Sequence, residues 1–170
     1  MLGKRITIKA TFLAIVSIAI SGCEMAEITQ APIQYKATKQ LNEKGVRDFT
    51  ARTFALIEGV QKEVSGVPCN FVAPGFGAKF VTPAVVSTPD MGTRTPAGSL
   101  TCRYGGVDKL IIMRPINETV AQIEQSAANA GAGAGLVGVI VSGISASNQK
   151  GRRDANLDQY GYPDAIVQFK

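Results

Sequence analysis

From Gly66 onward the apolar residues fall in runs too short for a helix, and glycine or proline closes nearly every run. Pro68 to Ala73, Ala78 to Val86, Ser99 to Tyr104, Lys109 to Arg114 and Ala165 to Phe169 are separated by Pro74-Gly75, by Pro89 to Gly98, by Gly105-Gly106 and by the Tyr162-Pro163 break. Such punctuation predicts strands, which need few residues, rather than helices, which need several turns to bury a face. Upstream the pattern fits two templates. Val46, Phe49, Thr53, Ile57, Val60 and Val64 keep a helical spacing, while Phe49, Ala51, Thr53, Ala55 and Ile57 alternate. The Thr and Phe content, with Glu58-Gly59 and Ser65-Gly66 as brackets, favours a strand over Thr50 to Gly59. The expected fold is therefore mainly β with some α: a small β-sandwich-like domain over residues 46–170, with a glycine-rich helical or loop segment within it.

The amino-terminal residues place that domain. Lys4, Arg5 and Lys9 precede an apolar run from Ala10 to Ile20, and Ile20, Ser21, Gly22 and Cys23 follow. A basic start holds a peptide at an anionic leaflet, and an apolar helix of this length is too short for a permanent span. The Ser21-Gly22-Cys23 order resembles the lipobox of bacterial lipoproteins. That resemblance implies a signal peptide over residues 1–22, diacylglycerol on the Cys23 sulfur, and acylation of its new amino group. Several acyl chains on one residue hold a protein durably, each buried methylene adding roughly 0.8 kcal/mol. Glu24 stands where the inner-membrane members of such proteins usually carry aspartate, so the expected address is the periplasmic face of the outer membrane, with the inner membrane's periplasmic face as the alternative.

Export also sets the cysteine chemistry. With Cys23 acylated, Cys69 and Cys102 remain of the three cysteines, an even pair in an oxidising compartment, which predicts a disulfide. Closing that loop is expected to stabilise the fold by roughly 3.5–4 kcal/mol on the chain-entropy estimate. Redox catalysis would call for Cys-x-x-Cys, and zinc for further Cys or His ligands, whereas the chain has no histidine. Residues 23–45 are polar, with Ile28, Ile33, Tyr35 and Leu41 as the bulky apolar exceptions. They read as a lipidated tether that gives the domain reach, with Ile33 and Tyr35 able to add an edge strand.

Ser126 to Ser147 carries no charge. Ala127, Gly131, Gly135, Val139 and Gly143 recur every fourth residue, which on a helix makes one smooth face, with Gly131, Gly135 and Gly143 as the candidate helix-packing positions. Three readings stand open for this stretch: an intradomain helix or loop, insertion into a membrane, or contact between subunits. Leu136 to Ile144 alone is too short to cross a bilayer.

Little else points to chemistry. Setting Lys4, Arg5 and Lys9 aside, the eighteen basic residues fall to fifteen against thirteen acidic ones, and without interleaved aromatics this makes no case for nucleic acid. Asp154, Asn156 and Asp158 alternate as in a calcium loop, but Gln159 and Ala165 stand where that loop needs glycine and a bidentate glutamate. No serine or cysteine has a histidine base, Gly-x-Ser-x-Gly is absent, and the glycine run lacks the lysine of a phosphate loop. Glu118 and Glu124 read as solvated surface rather than as a glycosidase pair. No catalytic residue, cofactor or metal is assigned.

Gly66-Val67-Pro68-Cys69, Phe80 to Val85 with Thr82-Pro83-Ala84, Leu100-Thr101-Cys102-Arg103, the glycine-rich stretch and the final Tyr162-Pro163 resemble a family of small uncharacterised bacterial lipoproteins. The resemblance runs from about Thr50 to the end and implies an envelope protein with a disulfide-braced β domain. It carries no catalytic activity with it. The expected function is that of a lipid-anchored, non-enzymatic envelope protein, held to the membrane through Cys23 and offering sheet edges to a protein partner by strand addition. The runner-up is a lipoprotein whose glycine-rich segment inserts into lipid or oligomerises. Third is an enzyme acting on peptidoglycan or lipid.

Overall fold

The computed structural model describes residues 25–131 and 146–170, so the leader, Cys23, Gly135 and Gly143 lie outside the described residues. In chain order the strands are β1 (Ile33–Gln34), β2 (Lys36–Ala37), β3 (Gly45–Ile57), β4 (Val60–Glu63), β5 (Val67–Ala73), β6 (Phe76–Thr82), β7 (Ala84–Asp90), β8 (Gly98–Tyr104), β9 (Val107–Met113) and β10 (Ile116–Asn117). Helix α1 (Glu118–Gly131) follows, and residues 146–152 are again helical before β11 (Tyr160–Gly161) and β12 (Ala165–Phe169).

Two sheets face each other. The first has the order β1-β7-β3-β12, with β4 also on β3, and the second runs β2-β6-β5-β8-β9. Alternation decides which side chains enter the core. Phe49, Ala51, Thr53 and Ala55 of β3 point inward, against Cys69, Phe71, Phe80 and Leu100 from the second sheet. Phe71 is the hub, its ring 5.4 Å from Phe49, 6.1 Å from Phe76 and 5.0 Å from Tyr162. A Cβ at Gly98 would stand 2.6 Å from the Phe71 ring, so only glycine leaves room for that hub. The one polar pair in the middle of the core is self-satisfied: Thr53 Oγ1 meets Thr82 Oγ1 at 2.6 Å and reaches the Val64 carbonyl at 2.7 Å.

Turn chemistry fixes the hairpins. Glu58 and Gly59 both have positive φ between β3 and β4, as do Gly105 and Gly106 between β8 and β9, the primed geometry that two-residue hairpins need. Cys69 and Cys102 are directly opposed on β5 and β8, buried, at disulfide distance.

Three expectations are corrected. The run Ala78 to Val86 is two strands, because Pro83 has no N–H to continue the ladder, and the chain passes there from the second sheet to the first. Strand β7 continues through Pro89 to Asp90 rather than turning at Pro89. Helix α1 needs no such correction: it starts at Glu118 as a polar first turn, where the Asn117 side chain accepts a 3.0 Å bond from the Val120 N–H as an N-cap.

The largest correction concerns the tether. Residues 26–45 are laid along the domain instead of reaching away from it. The Ala26 N–H donates to Glu63 at 2.7 Å, β1 pairs with β7 and β2 with β6, and the Thr38 and Lys44 N–H groups donate to the carbonyls of Gly75 and Asp90. Tyr35 packs edge-on against Phe76 at 5.8 Å, and its hydroxyl bonds Glu43, which pushes the phenol up to about 12. Backbone pairing to both sheets outweighs the segment's low hydrophobicity.

Candidate functional site

Apolar side chains on the outward side of a strand have no core to fill. The second sheet carries several. Val72, Val81, Leu110 and Ile112 are about half exposed or more; Val72 and Val81 each stand between buried neighbours, and Leu110 and Ile112 share their side of the sheet with Thr101 and Ser99 opposite them. In register, Val72 stands opposite Gly77 and Ser99, and Ser99 opposite Ile112. A row of small and apolar side chains therefore crosses the sheet to its β9 edge.

Strand β9 pairs with β8 alone among the described residues, so alternate residues on its other edge have no ladder partner, although β12 of the facing sheet packs near it. Proteins usually blunt such an edge with lysine, proline or a bulge. Here only Lys109 and Asp108 interrupt it, and Arg103 ties Asp108 down through two bonds of 2.6 and 2.7 Å, which holds the Asp108 carboxyl below the usual range. Two hollows open on this face. One of about 530 Å³ lies between Asn70, Lys79, Thr101 and Arg103. The other, about 520 Å³, sits over Gly77 between Ile33, Val72 and Lys36.

A different arrangement closes the end of the sandwich where β3 begins. Glu118 on α1 lies 3.8 Å from Arg47 Nε, a buried nitrogen without a hydrogen-bond partner. Burial raises the Glu118 carboxyl above its ordinary range; Arg47 opposes that rise, and Asp90 and Asp48 add to it. Asp158 is buried and accepts from Arg153 at 2.9 Å and from Asn117 Nδ2 at 2.6 Å, and these bonds hold it below the usual carboxylate range. Lys44 donates to the Asn156 carbonyl. Together they latch α1 and the 146–158 segment onto the strands.

The residues weighed from the sequence separate accordingly. Asp154 caps a 3-10 turn through Asn156 N–H while Asp158 faces Arg153, so the alternating trio does not converge. Glu118 faces the body and Glu124 pairs with Lys150, so these two carboxylates serve different contacts. Ala127 is buried on α1 and Gly131 is its last residue. Among the described residues no group of three acidic, cysteine or histidine side chains could hold a metal ion, and no helix is long and apolar enough to cross a membrane. The β9 face was missed from the sequence. Its signal is the alternation of Asp108, Leu110 and Ile112 outward against Ile111 and Met113 inward, which puts apolar residues on both sides of one strand. No protein-family model, curated protein or solved structure matches this chain.

Proposed function

We propose that this is a non-enzymatic envelope lipoprotein, anchored through acyl chains on Cys23, whose domain binds a protein partner by accepting an extended strand at β9. The supporting observation is that β9 has no ladder partner on its outer edge among the described residues, with Leu110 and Ile112 57% and 60% exposed beside it. Main-chain bonds supply affinity in strand addition, and side chains entering neighbouring hollows supply specificity. The partner strand lies along β9 and turns its alternate side chains onto the outer face.

Photo-crosslinking residues placed singly at positions 110 and 112 in the full chain, in intact cells, test this. The expected result is one shared adduct from both positions, absent from position 48 on the opposite sheet and lost when Leu110→Lys blunts the edge. Adducts equally strong at position 48, or unaffected by Leu110→Lys, contradict the reading.

A further inference from the structure

The end of the sandwich opposite the charged latch is finished with apolar side chains. Leu56 and Val60 flank the β3–β4 turn, and Tyr104 and Val107 flank the β8–β9 turn; the four are 51%, 55%, 37% and 60% exposed. Leu56 of β3 and the β8–β9 turn line one hollow of about 330 Å³ that also touches Lys109 and Lys170, and Tyr104 packs on Phe169 at 5.6 Å. Apart from that Tyr104 contact, these side chains stay largely open to solvent.

The amino-terminal segment says what covers them. Ala26 is fixed on both sides, its N–H to Glu63 and its carbonyl to Arg52 at 2.9 Å. From there the chain passes Pro83, to which Gln30 donates, and enters β1 opposite Val86, which itself pairs with Phe49. Rising residue numbers thus move from the level of Arg52 down to that of Phe49. Followed backwards, the chain is aimed at Leu56 and Val60. Cys23 lies three residues before the fixed Ala26, a span of at most about 10 Å in any backbone conformation.

We infer that, in the acylated protein, the Leu56–Val60 and Tyr104–Val107 turns rest in the interfacial layer of the phospholipid bilayer. The inference rests on the acylation of Cys23 proposed above and adds an orientation to it. A short leash holds the domain flush with the lipid, apolar tips enter the boundary between headgroup and acyl chain, and Lys109 meets the phosphates. The β9 edge then stands up from the membrane, open to a strand from the periplasm.

The chain contains no tryptophan, so a single introduced one reports its own depth. Full-length Val60→Trp, Val107→Trp and Val72→Trp proteins, acylated in cells and reconstituted in vesicles of phosphatidylcholine and phosphatidylglycerol with bromine near the headgroups, are compared by fluorescence. Quenching of roughly twofold is expected at positions 60 and 107, with none at 72, which lies toward the far end of the second sheet. Acylated, vesicle-bound protein with unquenched tryptophan at 60 and 107, or with equal quenching at 72, overturns the orientation and leaves the anchor standing. Protein whose residue 23 carries no lipid overturns both.

Discussion

The two ends of this sandwich are closed by opposite means. At the end where β3 begins, Arg47 with Glu118 and Asn117 with Asp158 pair across long stretches of sequence, Arg153 holds Asp158 locally, and together they fasten α1 to the strands. At the other, two tight turns leave Leu56, Val60 and Val107 more than half exposed and Tyr104 covered on one side by Phe169. The charged contacts cost desolvation and add little net stability, but they admit few alternative geometries. The bare turns give up burial the fold could have used. The latched end also exposes Val46, Ile116 and Leu157, so what separates the two ends, among the described residues, is the network of long-range charged contacts, present at one and missing from the turn tips at the other.

Substitutions ought to separate these roles. Phe71→Ala is the severest, expected to cost about 3–5 kcal/mol by denaturant unfolding, because Phe49 and Tyr162 both lean on that ring. Hydrogen exchange should rise first in β11 and α1, at the latched end. Gly98→Ala drives a methyl into the same ring and is expected to cost about 1–3 kcal/mol. Tyr162→Phe removes the 2.6 Å bond from the hydroxyl to the Pro96 carbonyl, a loss of about 1 kcal/mol. If that change loosened the bare turns as much as the latch, the division between the ends would fail.

Acid probes the latch through two buried or half-buried carboxylates, while at the bare end it reaches the exposed Asp108–Arg103 pair. Arg153 and Asn117 hold Asp158 below the ordinary carboxylate range, so its stabilising contribution is present at neutral pH and disappears as pH falls through that lowered value. Glu118 has the opposite sign. Burial raises its pKa, so its unfavourable charged form appears as pH rises above the usual glutamate value of about 4.3 and through the raised one. Glu118→Gln is therefore expected to keep or slightly raise thermal stability at neutral pH, whereas Asp158→Asn lowers it and flattens the acid limb. The smallest effect belongs to the bare end. Val107→Ser is expected to shift stability by no more than about 0.5 kcal/mol, while weakening quenching by brominated lipid at position 60.

Much of this architecture was legible because local rules decide it. The strands after Gly66, the Gly105-Gly106 and Glu58-Gly59 turns and the Cys69–Cys102 pairing follow from alternation, positive φ and an even thiol count. The mainly β, disulfide-braced sandwich expected from those signals is the one observed. Residues 26–45 were harder to read, since β1 and β2 are two residues each and their hold comes from partners fifty or so positions away. No local pattern encodes that. The free edge of β9 was partly readable in Leu110 and Ile112, but a strand's outward side is known only once its inward side is placed. The latch was invisible for a related reason: Asn117 and Asp158 are ordinary polar residues until the fold brings them within 2.6 Å.

Where all of this happens depends on the acylation of Cys23 proposed above. Mass spectrometry of the amino-terminal peptide from the native, membrane-extracted protein reads it directly. The account predicts a chain beginning at Cys23, heavier by a diacylglyceryl group and an N-linked acyl chain. A peptide that runs unbroken through residues 20–26 with an unmodified thiol would contradict it.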